Sequence, residues 1–252
     1  MDYERVLNTI TEMGYVLLRN GAEIYRVEES MQRLCSAYGL AGGEVFAISS
    51  CIIFSFQDGQ GQNYSRIKRV LVRGTDLDKV EKLNALCREV CAKTPPIGEV
   101  AARLREIEGG KRYGFAWQVG AFALVSAGFT LLFGGEWRDA VLAALCGAAL
   151  KPLLRLMEGW RANFFFANLM GSALVAALAL TSFRLGVPVH TDKVIIGTLM
   201  NLVPGVALTN FMRDLMAGDF IAGMLKLTEA LLIATAIALG TGVSVWLLRM
   251  PV

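Results

Sequence analysis

Four long stretches of the sequence contain no Asp, Glu, Lys or Arg: residues 113–135, 162–183, 194–212 and 230–248. Each is close to the roughly 20 apolar residues that a helix needs to cross the hydrocarbon core of a bilayer. Soluble globular proteins rarely leave such lengths of chain without charge. The sequence therefore predicts an α-helical integral membrane protein that crosses the bilayer several times.

Other residues and signals are scarce, and their scarcity excludes several classes of protein. Histidine occurs once, at His190, and the five cysteines form no Cys-x-x-Cys pair, so we expect no metal site and no cofactor. No nucleophile stands near a base, so we expect no enzymatic activity. The net charge of +3, with basic and acidic residues interleaved, argues against a nucleic-acid partner. The first 20 residues lack the apolar core of a signal peptide, which predicts a cytoplasmic N-terminus.

Charged residues are concentrated at the start of the chain, where residues 1–112 hold 31 of the 47. We predict a cytoplasmic α+β domain over residues 1–112 and a transmembrane domain over residues 113–252. In the first domain, helical spacing of apolar residues and runs of β-branched residues predict the following elements. The helices are 2–19, 22–38, 76–93 and 97–108, and the strands are 45–49, 52–56 and 64–72.

The transmembrane domain is predicted to contain five spans. They cover about 114–133, 138–157, 163–183, 192–212 and 219–248, and Lys151, Pro152 and Arg155 interrupt the second. With the N-terminus in the cytoplasm, the basic residues predicted to lie inside are Lys111, Arg112, Arg155, Arg161 and Arg213. Those predicted to lie outside are Arg138, Arg184, Lys193 and Arg249. This mild bias agrees with the positive-inside rule.

The odd number of spans suggests a half transporter. A five-span unit followed by a homologous one would insert with the opposite orientation, which generates the inverted repeat of many transporters. The second half would then have to come from a partner.

Pro204 and Gly205 interrupt the fourth predicted span about 18 Å from its start, near the middle of a bilayer core about 30 Å thick. Proline removes a helix hydrogen bond, and glycine lets the backbone bend. The break is flanked by polar residues, namely Thr198, Asn201, Thr209 and Asn210. It is interpreted either as a substrate site built from free backbone dipoles or as a simple kink.

The few charged residues in and beside the spans have two interpretations each. Lys151 either extends its ammonium to the membrane surface or balances a substrate carboxylate. Arg213, Asp214 and Asp219, in the turn between spans four and five, either cap and anchor helices or form a cytoplasmic gate that couples protons. Glu229, inside span five beside Lys226, either extends its charged group to the membrane surface or acts as a proton carrier.

Three passages of the sequence resemble the threonine/serine exporter family, specifically its larger N-terminal component. The first is residues 21–28, followed by Tyr38-Gly39-Leu40. The second is Ile48-Ser49-Ser50 with the later Asp58-Gly59, and the third is residues 202–210, which continues through Arg213-Asp214 and Gly218-Asp219 to Gly240. The resemblance covers nearly the whole chain.

The resemblance implies a secondary exporter of threonine and serine in the cell membrane, driven by the proton motive force. Some similar proteins are linked to small dicarboxylates such as succinate, which is the first alternative. Short members of the family resemble the first half of longer ones, which implies a second, smaller membrane subunit. A homo-oligomer is a further possible assembly.

The functional prediction combines these observations into a subunit of a proton-coupled exporter of small amino acids. The residues predicted to bind the substrate are Thr198, Asn201, Pro204, Gly205, Asn210 and Lys151. Those predicted to couple protons or gate are Arg213, Asp214, Asp219 and Glu229. One alternative from another class is a membrane-anchored ligand sensor, which would not need a broken span with polar flanks. The others are an intramembrane hydrolase, which would need a nucleophile with a base, and a purely structural scaffold.

Overall fold

A computed structural model describes residues 2–71, 74–110, 113–187 and 189–248 of the chain. Lys111, Arg112 and Arg249, which contribute to the orientation prediction, lie outside these residues, as does Val72 at the end of the third predicted strand. The chain forms two units, each with its own internal packing. The first is Met1–Lys111 with Val206–Leu227, and the second is Arg112–Gly205 with Thr228–Val252.

Among its described residues, the N-terminal part of the first unit contains four helices and a three-stranded antiparallel sheet of order β1-β2-β3. The elements are α1 (Tyr3–Arg19), α2 (Ile24–Ala37), β1 (Ala41–Ile48), β2 (Cys51–Gln57), β3 (Asn63–Arg69), α3 (Leu77–Lys93) and α4 (Ile97–Gly109). Each predicted helix and strand here is present, although β1 begins earlier and β3 ends earlier than expected. Its cytoplasmic location and its boundary at residue 112 stay predictions.

The core of this unit lies between the helices and one face of the sheet. Asp2 caps α1 by accepting a hydrogen bond from the Arg5 backbone N–H at 3.0 Å, and the apolar face of α1 is buried. In β2, Ile52, Phe54 and Phe56 alternate with more exposed residues, as expected for a strand with one face in the core. One face of the sheet therefore packs against α1 and α2.

Two further helical segments belong to the first unit: α9 (Gly205–Ala217) and the start of α10 (Phe220–Leu247). The turn between them is a Schellman motif, in which Asp219 N–H donates to the Asp214 carbonyl at 2.9 Å and Gly218 N–H to the Leu215 carbonyl at 3.1 Å. Gly218 has φ 91°, a left-handed conformation that favours glycine. Ala222 of α10 joins the same core as α1 and α2.

The second unit consists of α5 (Phe115–Leu132), α6 (Trp137–Gly159), α7 (Phe164–Arg184), α8 (Thr191–Leu199) and the remainder of α10. Among the described residues, four helices are long and apolar enough to cross a membrane: α5, α6, α7 and α10. Helix α6 continues through Lys151 and Pro152, so the interruption expected in the second span does not break the helix. The outer faces of these helices carry large exposed apolar side chains such as Leu124 and Leu132, which suit contact with lipid.

Small residues bring the helices of the second unit close together. A Cβ added to Gly147 would overlap Ser126 and the Phe122 backbone of α5, and one added to Gly197 would overlap Thr130. A Cβ on Gly240 would overlap the Leu169 carbonyl and the Ser172 hydroxyl of α7 in the same way. Close approach at small residues is how membrane helices gain packing energy without a hydrophobic driving force between them.

The fourth predicted span, 192–212, is divided. Helix α8 ends at Leu199, Met200–Pro204 is not helical, and α9 begins at Gly205. The predicted interruption at Pro204-Gly205 is thus confirmed as a break in the helix. Neither half alone is long enough to cross a membrane, so a fifth crossing is not among the four apolar helices and stays a proposal.

Candidate functional site

The backbone at the helix break departs from helical hydrogen bonding. Leu202 N–H donates to the Leu199 carbonyl at 2.8 Å, and Gly205 N–H donates to the Val203 carbonyl at 2.9 Å, so both bonds span fewer residues than a helical one. Pro204 has no N–H to donate. Gly205 is exposed, and a Cβ built on it would meet nothing within 4 Å. A small ligand could therefore approach the backbone at this point.

The polar residues just before the break are engaged in helix packing. The Asn201 side-chain amide donates to Ser126 Oγ at 2.8 Å and to the Thr198 carbonyl at 3.1 Å. Thr198 is wholly buried, and its hydroxyl donates to the Val194 carbonyl at 2.8 Å. The bond from Asn201 to Ser126 joins the end of α8 to α5, whereas the Thr198 hydroxyl bonds to a carbonyl of its own helix. Direct contact of Asn201 or Thr198 with a substrate stays a prediction.

Lys151 of α6 contacts the same part of α5 as Asn201. Its Nζ is 5.0 Å from the centroid of the Phe122 ring, within cation–π range, and Asn201 Nδ2 lies 3.4 Å from the Phe122 carbonyl. The structure therefore brings two of the predicted substrate residues to one aromatic residue that sequence reasoning did not single out. Glu229, in the same unit, is half-buried.

The remaining predicted site residues belong to the first unit, and two of them, Asn210 and Arg213, contact the Gly21–Glu23 segment. Asn210 is nearly buried, and its side-chain amide lies 3.4 Å from the Gly21 carbonyl. Arg213 forms an ion pair with Glu23. Two passages of family resemblance that are about 190 residues apart in the sequence are therefore neighbours in the fold.

Asp214 forms a buried ion pair with Lys226. The Nζ–Oδ2 distance is 2.6 Å, and the side chains are 0% and 12% exposed. The other carboxylate oxygen of Asp214, Oδ1, is buried and has no hydrogen-bond partner among the described residues. Such a pair is retained only when its charges compensate each other, because an isolated buried charge is costly.

Two more carboxyl groups lie near this pair. Asp219 precedes α10, and its pKa is raised above the ordinary aspartate value by burial and by the negative charge of Asp214, while Lys226 opposes the shift. Glu28 of α2 is half-buried and accepts a hydrogen bond from Ala47 N–H at 2.6 Å. Burial raises the pKa of Glu28, the bond from Ala47 opposes this, and the charge of Asp219 raises it further.

A second buried carboxylate lies in the other unit. Asp139, 1% exposed, receives hydrogen bonds from the backbone N–H groups of Glu136 and His190, each at 2.8 Å. Its Oδ2 is also 2.9 Å from His190 Nδ1, an interaction that raises the pKa of the histidine. No sequence signal links Asp139 with His190, which are 51 positions apart. Within the part of the chain that the structure describes, no three His, Cys, Asp or Glu side chains are grouped as a metal site.

Comparison with known proteins gives one family and one relative. A family model described as a putative threonine/serine exporter matches residues 8–248. A protein of Mycobacterium tuberculosis (strain ATCC 25618 / H37Rv) named "Probable threonine/serine exporter" is 22% identical over 242 residues, which is 95% of this chain and 46% of the relative. The chain therefore spans about half the length of that relative. No solved structure matches this chain.

Proposed function

This chain belongs to the threonine/serine exporter family, and we propose that it is a subunit of a secondary exporter of small amino acids such as threonine and serine. The family model matches nearly the whole chain, and four helices of membrane-spanning length and composition suit a membrane transporter. A transport role is proposed in preference to a catalytic one because the family is one of exporters.

The substrate is proposed to bind at the break between α8 and α9. The observation that carries this proposal is the interruption of the helix at Met200–Pro204 beside the exposed Gly205. The positive end of the α9 dipole suits a carboxylate, and the negative end of the α8 dipole suits an ammonium group. A zwitterionic amino acid carries both groups, whereas succinate has carboxylates only.

Transport is proposed to be coupled to protons through Asp214 and Asp219, with Arg213 as part of the gate. The pair between Asp214 and Lys226 is almost fully buried, and ionisable groups in such surroundings are often functional. Glu229 is a further candidate proton carrier.

We also propose that a second, smaller membrane subunit completes the exporter. The relative in M. tuberculosis is about twice as long as the region that matches this chain. If α8 and α9 together form a fifth crossing, a five-span chain supplies one half of an inverted repeat. In this arrangement the N-terminal part is cytoplasmic and the protein resides in the cell membrane.

Export of labelled serine, threonine and succinate from cells that express the chain with the smaller subunit tests the function. Pro204→Ala restores a helix hydrogen bond, and Gly205→Leu fills the open approach to the backbone. Each should lower amino-acid export by about tenfold or more, equivalent to about 1.4 kcal/mol. Gly128→Leu is the matched control, because Gly128 is also exposed with nothing within 4 Å of its Cβ position.

The protein should reach the membrane at normal levels in all three variants, because each change is apolar. If Pro204→Ala and Gly205→Leu both export at the control rate, the break is only a kink. The substrate site must then be sought around Lys151 and Glu229. Export of succinate in place of amino acids would support the dicarboxylate alternative.

A further inference from the structure

Acidic side chains outnumber basic ones around the buried ion pair of the first unit. Asp214 of α9 pairs with Lys226, Asp219 in the turn before α10 feels the charges of both, and Glu28 of α2 feels the charge of Asp219; these four residues are called the carboxylate cluster. Asp214 is wholly buried, and Glu28 and Asp219 are half-buried. One lysine can compensate one of the three carboxylates, so full ionisation would leave two uncompensated negative charges that are only partly solvated.

The nearby arginines do not supply the missing positive charge, because they are engaged with another acid. Arg213 pairs with Glu23, and the Arg26 guanidinium lies 3.0 Å from the same carboxylate. Both arginine side chains are about half exposed, at 48% and 45%, so solvent also screens them. The carboxylate cluster therefore has a net attraction for a further cation.

A separate observation points to what that cation is. The buried Oδ1 of Asp214 has no hydrogen-bond donor among the described residues. A carboxylate can only accept hydrogen bonds, but a protonated carboxyl group carries an O–H donor. A proton on a neighbouring acid would thus remove one surplus charge and also provide a donor inside the cluster.

We propose that Glu28, Asp214 and Asp219 together bind the coupling proton of this exporter, with Lys226 as the counter-charge. The inference rests on the proposed export function and adds to it two residues, Glu28 and Lys226. Glu28 is contributed by the N-terminal part of the chain, which thereby becomes part of the coupling machinery.

The position of the cluster explains how proton binding could influence the substrate site. Asp214 lies in α9, the helix whose first residue, Gly205, adjoins the break. When the cluster loses its proton, repulsion between the ionised acids disfavours the contact of α2 with α9 and the turn before α10. When the proton returns, the repulsion falls and the contact is favoured. Because α9 is one continuous helix, a change in this contact at the cluster is transmitted to the break at the start of α9.

The first test is independent of transport and uses thermal unfolding of the purified full chain in detergent. Glu28 and Asp219 have raised pKa values in the folded state, so the folded protein should lose stability as pH rises above their ordinary values, 4.5 and 3.8, and through the raised ones. Glu28→Gln keeps an oxygen acceptor for Ala47 N–H and removes the charge. Its melting temperature should fall less than that of the wild type between acidic and mildly alkaline pH.

Glu29→Gln is the matched control. Glu29 is the next residue on α2, lies on the surface and pairs with Arg33 at 2.6 Å. It should leave the pH profile of stability unchanged. If Glu28→Gln does not fold, Asp219→Asn provides the same test. A pH profile that is identical in the wild type, Glu29→Gln and the cluster variants would overturn the proposal.

The second test uses membrane vesicles from cells that express the full chain with the smaller subunit. A proton gradient should stimulate serine transport by the wild type and by Glu29→Gln, whereas Glu28→Gln should lose most of this stimulation and keep exchange without a gradient. Full stimulation in Glu28→Gln, or stimulation by a sodium gradient alone, would overturn the proton site and leave the export function standing. Absence of amino-acid transport in the wild type would instead refute the proposed function, while the unfolding test would still decide the proton site.

Discussion

Replacement of Lys226 by methionine should destabilise the protein strongly, and the effect follows from the burial of its partner. Asp214 is 0% exposed, Lys226 is 12% exposed, and the charged atoms are 2.6 Å apart. Methionine keeps much of the length and apolar surface of the lysine stem, so the main change is the loss of the ammonium charge. Asp214 would then be a buried carboxylate without a counter-charge.

Removal of one partner of a buried ion pair costs about 3–5 kcal/mol in soluble proteins. The little solvent that reaches this pair should not reduce that cost greatly, because screening is weak for buried charges. Exchange of both partners for neutral residues of similar shape should cost much less, because no uncompensated charge remains. Asp214→Asn/Lys226→Met should therefore be more stable than Lys226→Met alone.

Thermal or denaturant unfolding of the wild type, both single variants and the double variant in detergent gives the coupling energy between the two positions. If the effects of the two single changes simply add, the pair does not stabilise the fold and the reasoning is refuted. The same result would weaken the case for the carboxylate cluster.

Three further predictions concern other parts of the chain. A cysteine introduced at Gln60 should be inaccessible to an impermeant reagent added outside intact cells, and one at His190 accessible; the reverse pattern would invert the proposed topology. His190→Asn should lower the melting temperature more below pH 6.5 than well above it, because the bond to Asp139 raises the histidine pKa and its stabilisation is lost as pH rises through that value. An equal loss at all pH values would exclude the charged pair. Gly240→Leu should reduce the amount of folded protein in the membrane, whereas Gly242→Leu should not, because a Cβ meets α7 only at Gly240; equal yields would contradict the close approach.

The parts of the fold that local sequence determines could be predicted. Apolar spacing located the helices of the N-terminal part, and β-branched residues located the strands, because both patterns depend on neighbours a few residues apart. The break at Pro204-Gly205 was also predictable, since proline removes a helix hydrogen bond wherever it stands. The continuity of α6 through Pro152 was not, because a membrane helix can accommodate a proline when its surroundings satisfy the freed carbonyl.

The pairing of distant side chains could not be predicted. Arg213 and Asp214 were recognised as candidates, but their partners Glu23 and Lys226 are set by the packing of helices, which has no local signature. Glu28 was visible only as part of a motif, and its acceptance of a bond from Ala47 depends on the placement of β1 beside α2. His190 received no role from sequence reasoning, because nothing in its surroundings along the chain points to Asp139.

The close helix approaches at Gly147, Gly197 and Gly240 limit how the sequence of such a membrane domain can change during evolution. Apolar positions on the outer faces, such as Leu124, are largely exposed, so one large apolar side chain can replace another there with little consequence. At the three glycines even a methyl group would collide with a neighbouring helix. Saturation mutagenesis should therefore show long tolerant segments interrupted by a few isolated positions at which only glycine survives. Evolutionary drift can erase most of the identity between two such membrane domains and still preserve the spacing of their helices.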